Sequence, residues 1–166
     1  MIQIYCDGST SSNGQVGARG GYGAVILYNE EEHHIYGRVS GAATNQICEI
    51  WAAIVGIQSV FANFSKELRL DRKIEIYSDS AYVVNCINDG WYKKWLINGW
   101  LNSQNKPVAN KILWEKLIKL LPFADFTFIK VKGHEGNKYN EIADELARKG
   151  VQLEEEEIDN EMGEFS

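Results

Sequence analysis

Four acidic residues stand where the chain changes direction: Asp7 closes a short β-rich run, Glu49 lies in the first turns of a helical stretch, Asp79 closes another β-rich run, and Asp144 lies in the last helical stretch. Their neighbours are apolar or small (Tyr5 and Cys6, Cys48 and Ile50, Tyr77 and Ser78, Ala143), so each acid interrupts an apolar run. In an open sheet, sites gather at strand ends, where side chains distant in sequence converge. Four carboxylates within a few ångströms repel, raising some pKa values, unless divalent cations neutralise them. Hard oxygen donors suit Mg²⁺ or Mn²⁺ and not zinc. Two such ions about 4 Å apart activate a water and stabilise the leaving oxygen in phosphoryl transfer. Structural roles compete for every acid. Asp79 before Ser80 is a good helix cap, Asp7-Gly8 is a common turn pair, and Glu49 and Asp144 suit exposed helix faces. Spacing alone leaves both readings open.

Other chemistries find less support. His134-Glu135 lacks a second histidine four residues after the first, because Lys138 is there, which argues against a zinc protease. Gly14 to Gly23 is glycine-rich but has no Gly-Lys-Ser/Thr and opens a strand, so it is not a P-loop. No Gly-x-Ser-x-Gly elbow occurs. His33-His34 beside a hairpin reads as an exposed polar pair. Cys6, Cys48 and Cys86 are an odd number without a C-x-x-C pair, as expected of reduced core thiols in a cytosolic protein. The N-terminal residues show no signal-peptide pattern, and no apolar stretch approaches a membrane span. The expectation is a cytoplasmic protein with no membrane partner.

The elements that must position these residues follow from periodicity. Ile2 to Cys6, Gly20 to Tyr28 and His33 to Ser40 read as three strands of an antiparallel meander, the last two joined through Tyr28 to Glu32. From Asn45 to Phe61 the apolar spacing is helical, with Thr44 or Asn45 as N-cap. Lys73 to Tyr77 is a fourth strand, and Ser78 or Asp79 caps a helix from Ser80 to about Ile87. Trp91 to Gln104 is aromatic and basic without a clean period. Pro107 precedes a helix through Leu113, Leu117 and Leu120 that stops near Pro122. Phe126 to Val131 is a fifth strand, and Tyr139 to Lys149 a last helix ending at Gly150. The order βββαβααβα predicts an α/β fold, a mixed sheet with helices packed on it.

The chain has 166 residues with 17 basic and 23 acidic side chains, a net charge of −6. That balance alone would argue against a nucleic-acid partner. Its location reverses the inference. Residues 151–166 hold seven of the acids and no Lys or Arg, so residues 1–150 carry 16 acids against 17 bases. Trp91 to Lys149 carries eleven bases against six acids. Two regions are therefore expected: a globular domain over residues 1–150 and an acidic tail over 151–166. If the four candidate ligands are also set aside, the first region stands at +5.

The strings Tyr5-Cys6-Asp7-Gly8-Ser9, Ala43-Thr44-Asn45-Gln46-Ile47-Cys48-Glu49, Tyr77-Ser78-Asp79-Ser80 and Val131-Lys132-Gly133-His134-Glu135-Gly136, with Asn140 and Asp144-Glu145-Leu146-Ala147, resemble type I ribonuclease H. They occur in the family's order across nearly all of residues 1–150. The resemblance implies a ribonuclease H-like fold, a five-stranded mixed sheet in order 3-2-1-4-5 flanked by helices. It implies endonucleolytic cutting of the RNA strand of RNA–DNA hybrids, leaving 5′-phosphate and 3′-hydroxyl ends, by a monomer using two Mg²⁺ ions, with Mn²⁺ a possible substitute. Carried over by position, Asp7 bridges both ions, Glu49 and Asp79 hold the one near the leaving group, and Asp144 holds the one that positions the attacking water. His134 matches a loop histidine that assists proton transfer or product release. Asn13, Asn45 and Gln46 match minor-groove contacts, which sense the 2′-hydroxyl. Thr44 and Asn110 match a DNA-phosphate pocket. Trp91, Trp95, Trp100 and Ser103 match an element that packs on the DNA backbone, flanked here by Lys93 and Lys94.

Two departures remove positive charge from that side. Leu96 and Ile97 stand where many relatives are basic, and Ala42 stands where some use arginine. Hybrid affinity and its salt dependence are expected to be lower than in more basic relatives. The acidic tail is expected to compete with nucleic acid for the basic surface. A non-catalytic hybrid-binding module is the alternative function. A proofreading exonuclease on this fold would need Asp-x-Glu in the first motif, where Ser9 takes the last place.

Overall fold

The computed structural model describes residues 1–11, 15–133 and 136–153. Five strands, β1 (Ile2–Thr10), β2 (Gly20–Tyr28), β3 (Glu31–Val39), β4 (Lys73–Ser78) and β5 (Asp125–Lys130), form one sheet in the order β3-β2-β1-β4-β5. The β1–β2 and β2–β3 pairs are antiparallel, whereas β1–β4 and β4–β5 are parallel. The helices are α1 (Asn45–Asn63), α2 (Ser65–Leu70), α3 (Ala81–Asn88), α4 (Trp91–Asn98), α5 (Lys111–Leu120) and α6 (Lys138–Val151). The expected sheet and its order are therefore present. Among the described residues no helix is long and apolar enough to cross a membrane.

Alternation along β1 buries Ile2, Ile4 and Cys6 against α1, whose Ile50, Ile54 and Ile57 are fully buried. A smaller cluster on the other face packs Val25 of β2 with Ala143 and Leu146 of α6. The helix α6 reaches the sheet because Gly23 has no side chain; a Cβ there would lie 2.5 Å from both the Ala143 oxygen and the Ala147 nitrogen.

Several elements differ from the sequence expectation. The strand β1 does not end at Cys6. It continues beside β2 through Thr10, so Asp7 lies inside a strand and not in a turn. The β2–β3 connection narrows to Asn29 and Glu30, both at positive φ (48° and 68°), which closes the hairpin in two residues. Trp91 to Asn98 forms a helix bounded by left-handed Gly90 and Gly99. Exposed Leu96 and Ile97 obscure its period. The short helix α2 buries none of its residues and so had no apolar pattern to read. The helix α6 passes the expected boundary at Gly150, and the Leu153 carbonyl accepts from Arg19 and Arg38 at 2.7 and 3.2 Å.

Candidate active site

Asp7, Glu49 and Asp79 each present a carboxylate oxygen within 4.8 Å of the others. Each comes from a different element. The β1–β4 ladder runs only to the Tyr5–Tyr77 pair, so the strands part beyond it, and Asp7 and Asp79 stand at that opening. Gly8 brings α1 to the same place. A Cβ on Gly8 would fall 2.5 Å from the Cys48 carbonyl carbon and 2.7 Å from the Glu49 nitrogen, so only glycine lets this helix abut the strand. Its amide donates to Asp7 Oδ1 at 2.9 Å.

The helix-cap reading of Asp79 does not hold. Ser80 is the N-cap of α3, its hydroxyl accepting from the Val83 amide at 3.2 Å, and Ser78 Oγ accepts from the Ser80 amide at 3.1 Å. Two serines satisfy the turn and leave the Asp79 carboxylate to the cluster. Gly133, at the start of the β5–α6 loop, lies against Asp79; a Cβ there would be 3.2 Å from Oδ2.

Gathering these acids raises their proton affinity. Burial pushes Asp7 from the ordinary 3.8 up to about 7, opposed by a hydrogen bond from Glu49 and reinforced by the charges of Asp79 and Asp144. Burial also pushes Glu49 well above the carboxylate range, and the Asp7 charge adds to it. Asp7 and Glu49 thus compete for protons at one place, and both hold them more tightly than an ordinary carboxyl. The Glu49 Oε2 is buried with no hydrogen-bond partner among the described residues. An unmatched buried carboxylate oxygen beside two more hard donors fits a divalent cation. The thiol of Cys6, pushed far up first by burial and then by the Glu49 charge, stays neutral and inert.

Asp144 does not join this triad. It lies close enough for its charge to act on Asp7, but its carboxylate accepts a charge-assisted hydrogen bond from Arg148 one turn along α6. His134 and Asn13 lie outside the described residues.

The expected nucleic-acid contacts fall on two patches. At the start of α1, Thr44 is the N-cap, accepting from the Ile47 amide at 3.1 Å. Asn45 Oδ1 accepts from Thr10 at 2.8 Å, and Gln46 is exposed. Asn110, left-handed at the start of α5, reaches Tyr82 Oη at 3.5 Å. On the second patch, Trp91, Lys94, Trp95 and Ser103 line an open groove of about 470 Å³ with Asn98, Leu101 and Asn102, while Lys93 is exposed on the same helix. Trp95 packs 5.6 Å from Trp100 and 5.9 Å from fully buried Trp114, whose Nε1 donates to Tyr82 Oη at 3.1 Å. Trp91 and Trp95 thus serve both the core and a groove wall. Sequence reasoning missed Gly8, Ser80, Arg148, Trp114 and Tyr82. The i,i+4 spacing of Asp144 and Arg148 was the one signal available for them.

A family model described as RNase H matches residues 1–152. A ribonuclease H of Chlorobaculum parvum is 42% identical over 150 residues, covering 90% of this chain and 94% of that protein. The structure of LC9-RNase H1, described as a type 1 RNase H with the type 2 active-site motif, shares the fold with a TM-score of 0.76 at 21% identity, over 90% of this chain and 71% of that one. A foamy viral protease-reverse transcriptase in complex with an RNA/DNA hybrid matches 91% of this chain within 20% of its own, with a TM-score of 0.73 at 23% identity.

Proposed function

The chain belongs to the ribonuclease H family, and on that premise we propose how its residues carry out cleavage of the RNA strand of an RNA–DNA hybrid. One observation carries the reading: three carboxylates converge, and a buried oxygen of Glu49 has no hydrogen-bond partner among the described residues. Asp7, Glu49, Asp79 and Asp144 would hold two Mg²⁺ ions, for which Mn²⁺ could substitute, and these would acidify the attacking water and neutralise charge on the scissile phosphate. Asp7 and Glu49, whose proton affinity is raised, would have to be deprotonated to hold such ions. Asp144, on a helix packed against β1 and β2, would leave Arg148 to serve the same centre. His134, the residue after Gly133 in sequence, would move the proton that the reaction releases. The products carry 5′-phosphate and 3′-hydroxyl ends.

Substrate choice rests on surface groups. Exposed amides of Asn45 and Gln46, with Asn13, contact the minor groove and 2′-hydroxyls without reading sequence. Thr44 and Asn110, at the starts of α1 and α5, receive a DNA phosphate where helix amides point outward. Trp91, Trp95, Trp100 and Ser103, with Lys93 and Lys94, support the DNA backbone along the groove on α4. The protein acts as a monomer in the cytoplasm, and residues 151–166 act as an acidic tail that competes with the hybrid.

Incubation with labelled RNA–DNA hybrid, RNA duplex and DNA duplex, with and without Mg²⁺, tests this. Only the hybrid is cut, only with metal, and Asp7→Asn binds hybrid without cutting it. Cleavage by Asp7→Asn at the wild-type rate would refute the assignment.

A further inference from the structure

Beside the carboxylates stand two rows of side chains that the reaction does not use. Alternation puts Gln3, Tyr5 and Asp7 of β1 on one face, and Glu75, Tyr77 and the following Asp79 continue that face along β4. Parallel register sets Gln3 opposite Glu75 and Tyr5 opposite Tyr77. The tyrosine rings stack, with centroids 4.3 Å apart and planes within 7°. One layer further from the acids, Gln3 Nε2 donates to Glu75 Oε1 at 3.0 Å and to Tyr77 Oη at 3.2 Å, and the Tyr77 hydroxyl donates to Glu75 Oε1 at 2.9 Å. Tyr139, in the first turn of α6, tilts onto Tyr5 at 5.4 Å.

We propose that Tyr5 and Tyr77 are positioning residues for the carboxylate cluster, and that Tyr139 ties the helix carrying Asp144 to the same layer. The Tyr5–Tyr77 pair is the last rung before β1 and β4 part, so its stacked rings set how far apart the strand ends emerge. Asp7 and Asp79 lie two residues beyond it, one on each strand, and inherit that separation. The hydrogen bonds to Glu75 and Gln3 hold the Tyr77 ring in its plane. Groups that orient metal ligands without touching the metal commonly change affinity or activity by about 10- to 100-fold when removed. A displacement near 1 Å at a reacting centre costs on the order of 100-fold in rate.

The proposal rests on the acids being divalent-cation ligands, and the test separates the two ideas. Mg²⁺ binding to the hybrid-free protein is measured by calorimetry, and kcat and KM on hybrid are measured well below each variant's melting temperature. Tyr77→Ala is expected to weaken Mg²⁺ binding and lower kcat, each by about 10- to 100-fold, with KM for hybrid within about twofold of wild type. Tyr77→Phe keeps the ring and restores both to within about threefold. Val60→Ala, a fully buried site on α1, lowers the melting temperature without moving Mg²⁺ affinity. If Tyr77→Ala does not fold, Tyr77→Leu, which fills volume without stacking, takes its place. Wild-type Mg²⁺ affinity and kcat in the folded Ala or Leu variant, or an equal loss in Val60→Ala, would overturn the positioning role. A wild-type protein that takes up no Mg²⁺ would overturn the ligand assignment and the positioning role with it.

Discussion

Asp7→Asn should make the metal-free protein more stable, and by an amount that depends on pH. Burial sets the Asp7 carboxyl at about 7 in the fold, against an ordinary 3.8. Between those values the folded state binds more protons than the unfolded chain, so stability falls as pH rises through the window from about 4 to 7. The full penalty at pH 8 is roughly 4 kcal/mol, an upper bound because Glu49 shares the proton. Asparagine carries no charge to bury, and its side-chain oxygen still faces the Gly8 amide and the Glu49 carboxyl. The variant is therefore expected to gain about 2–4 kcal/mol at pH 8 in EDTA, or roughly 4–16 °C in melting temperature, and almost nothing at pH 4. Urea unfolding followed by tryptophan fluorescence at both pH values measures it. Added Mg²⁺ at pH 8 should reverse the ranking, because only the wild type gains stability from binding. A variant no more stable than wild type at pH 8, or a gain equal at pH 4 and pH 8, would refute the claim that buried charge is the cost.

Gly8→Ala places a methyl group against the backbone of Cys48 and Glu49; a loss on the order of 1–3 kcal/mol in urea unfolding is expected, with activity reduced as Glu49 moves off Asp7. Arg148→Ala removes an exposed competitor for Asp144. Stability should change by less than about 0.5 kcal/mol, and the Mg²⁺ concentration for half-maximal activity should fall about twofold; a rise would mean that Arg148 orients Asp144 instead. Leu96 and Ile97 are 57% and 88% exposed on α4. Replacing each with lysine should steepen the dependence of log affinity on log salt by up to about one per residue with kcat unchanged, as read from hybrid binding between low and moderate salt.

The elements most legible from sequence were those whose burial follows one period. Ile2, Ile4 and Cys6 alternate against a helix whose Ile50, Ile54 and Ile57 recur at helical spacing, and both form as expected. The misreadings share a different cause. Asp7-Gly8 carries turn chemistry in sequence, yet Gly8 serves close approach to α1 inside a strand. Ser78-Asp79-Ser80 offers three capping candidates, and only the Val83 amide bond shows that Ser80 takes the role. Trp91 to Asn98 hides its helix because its apolar residues face two ways, Trp91 and Trp95 inward and Leu96 and Ile97 to solvent. Local pattern reports what a residue is able to do. Which neighbour arrives to use it depends on tertiary contact.

The acids themselves show why the site could be read before the structure was known. A carboxylate that is only a surface charge has no reason to sit in an apolar run, because burying it unpaired costs several kcal/mol. Asp7 and Glu49 follow such runs, and the fold buries Asp7 and the Oε2 of half-buried Glu49. It holds them together through backbone contact at Gly8 and a strand ladder that stops one step short. Among the described residues no arginine or lysine forms an ion pair with Asp7 or Glu49, whereas Arg148 goes to Asp144 at the margin. A protein that needed these acids only for stability would gain by neutralising them with a basic side chain or replacing them. Retaining three mutually repelling carboxylates at one point makes physical sense if a cation supplies the missing charge during function.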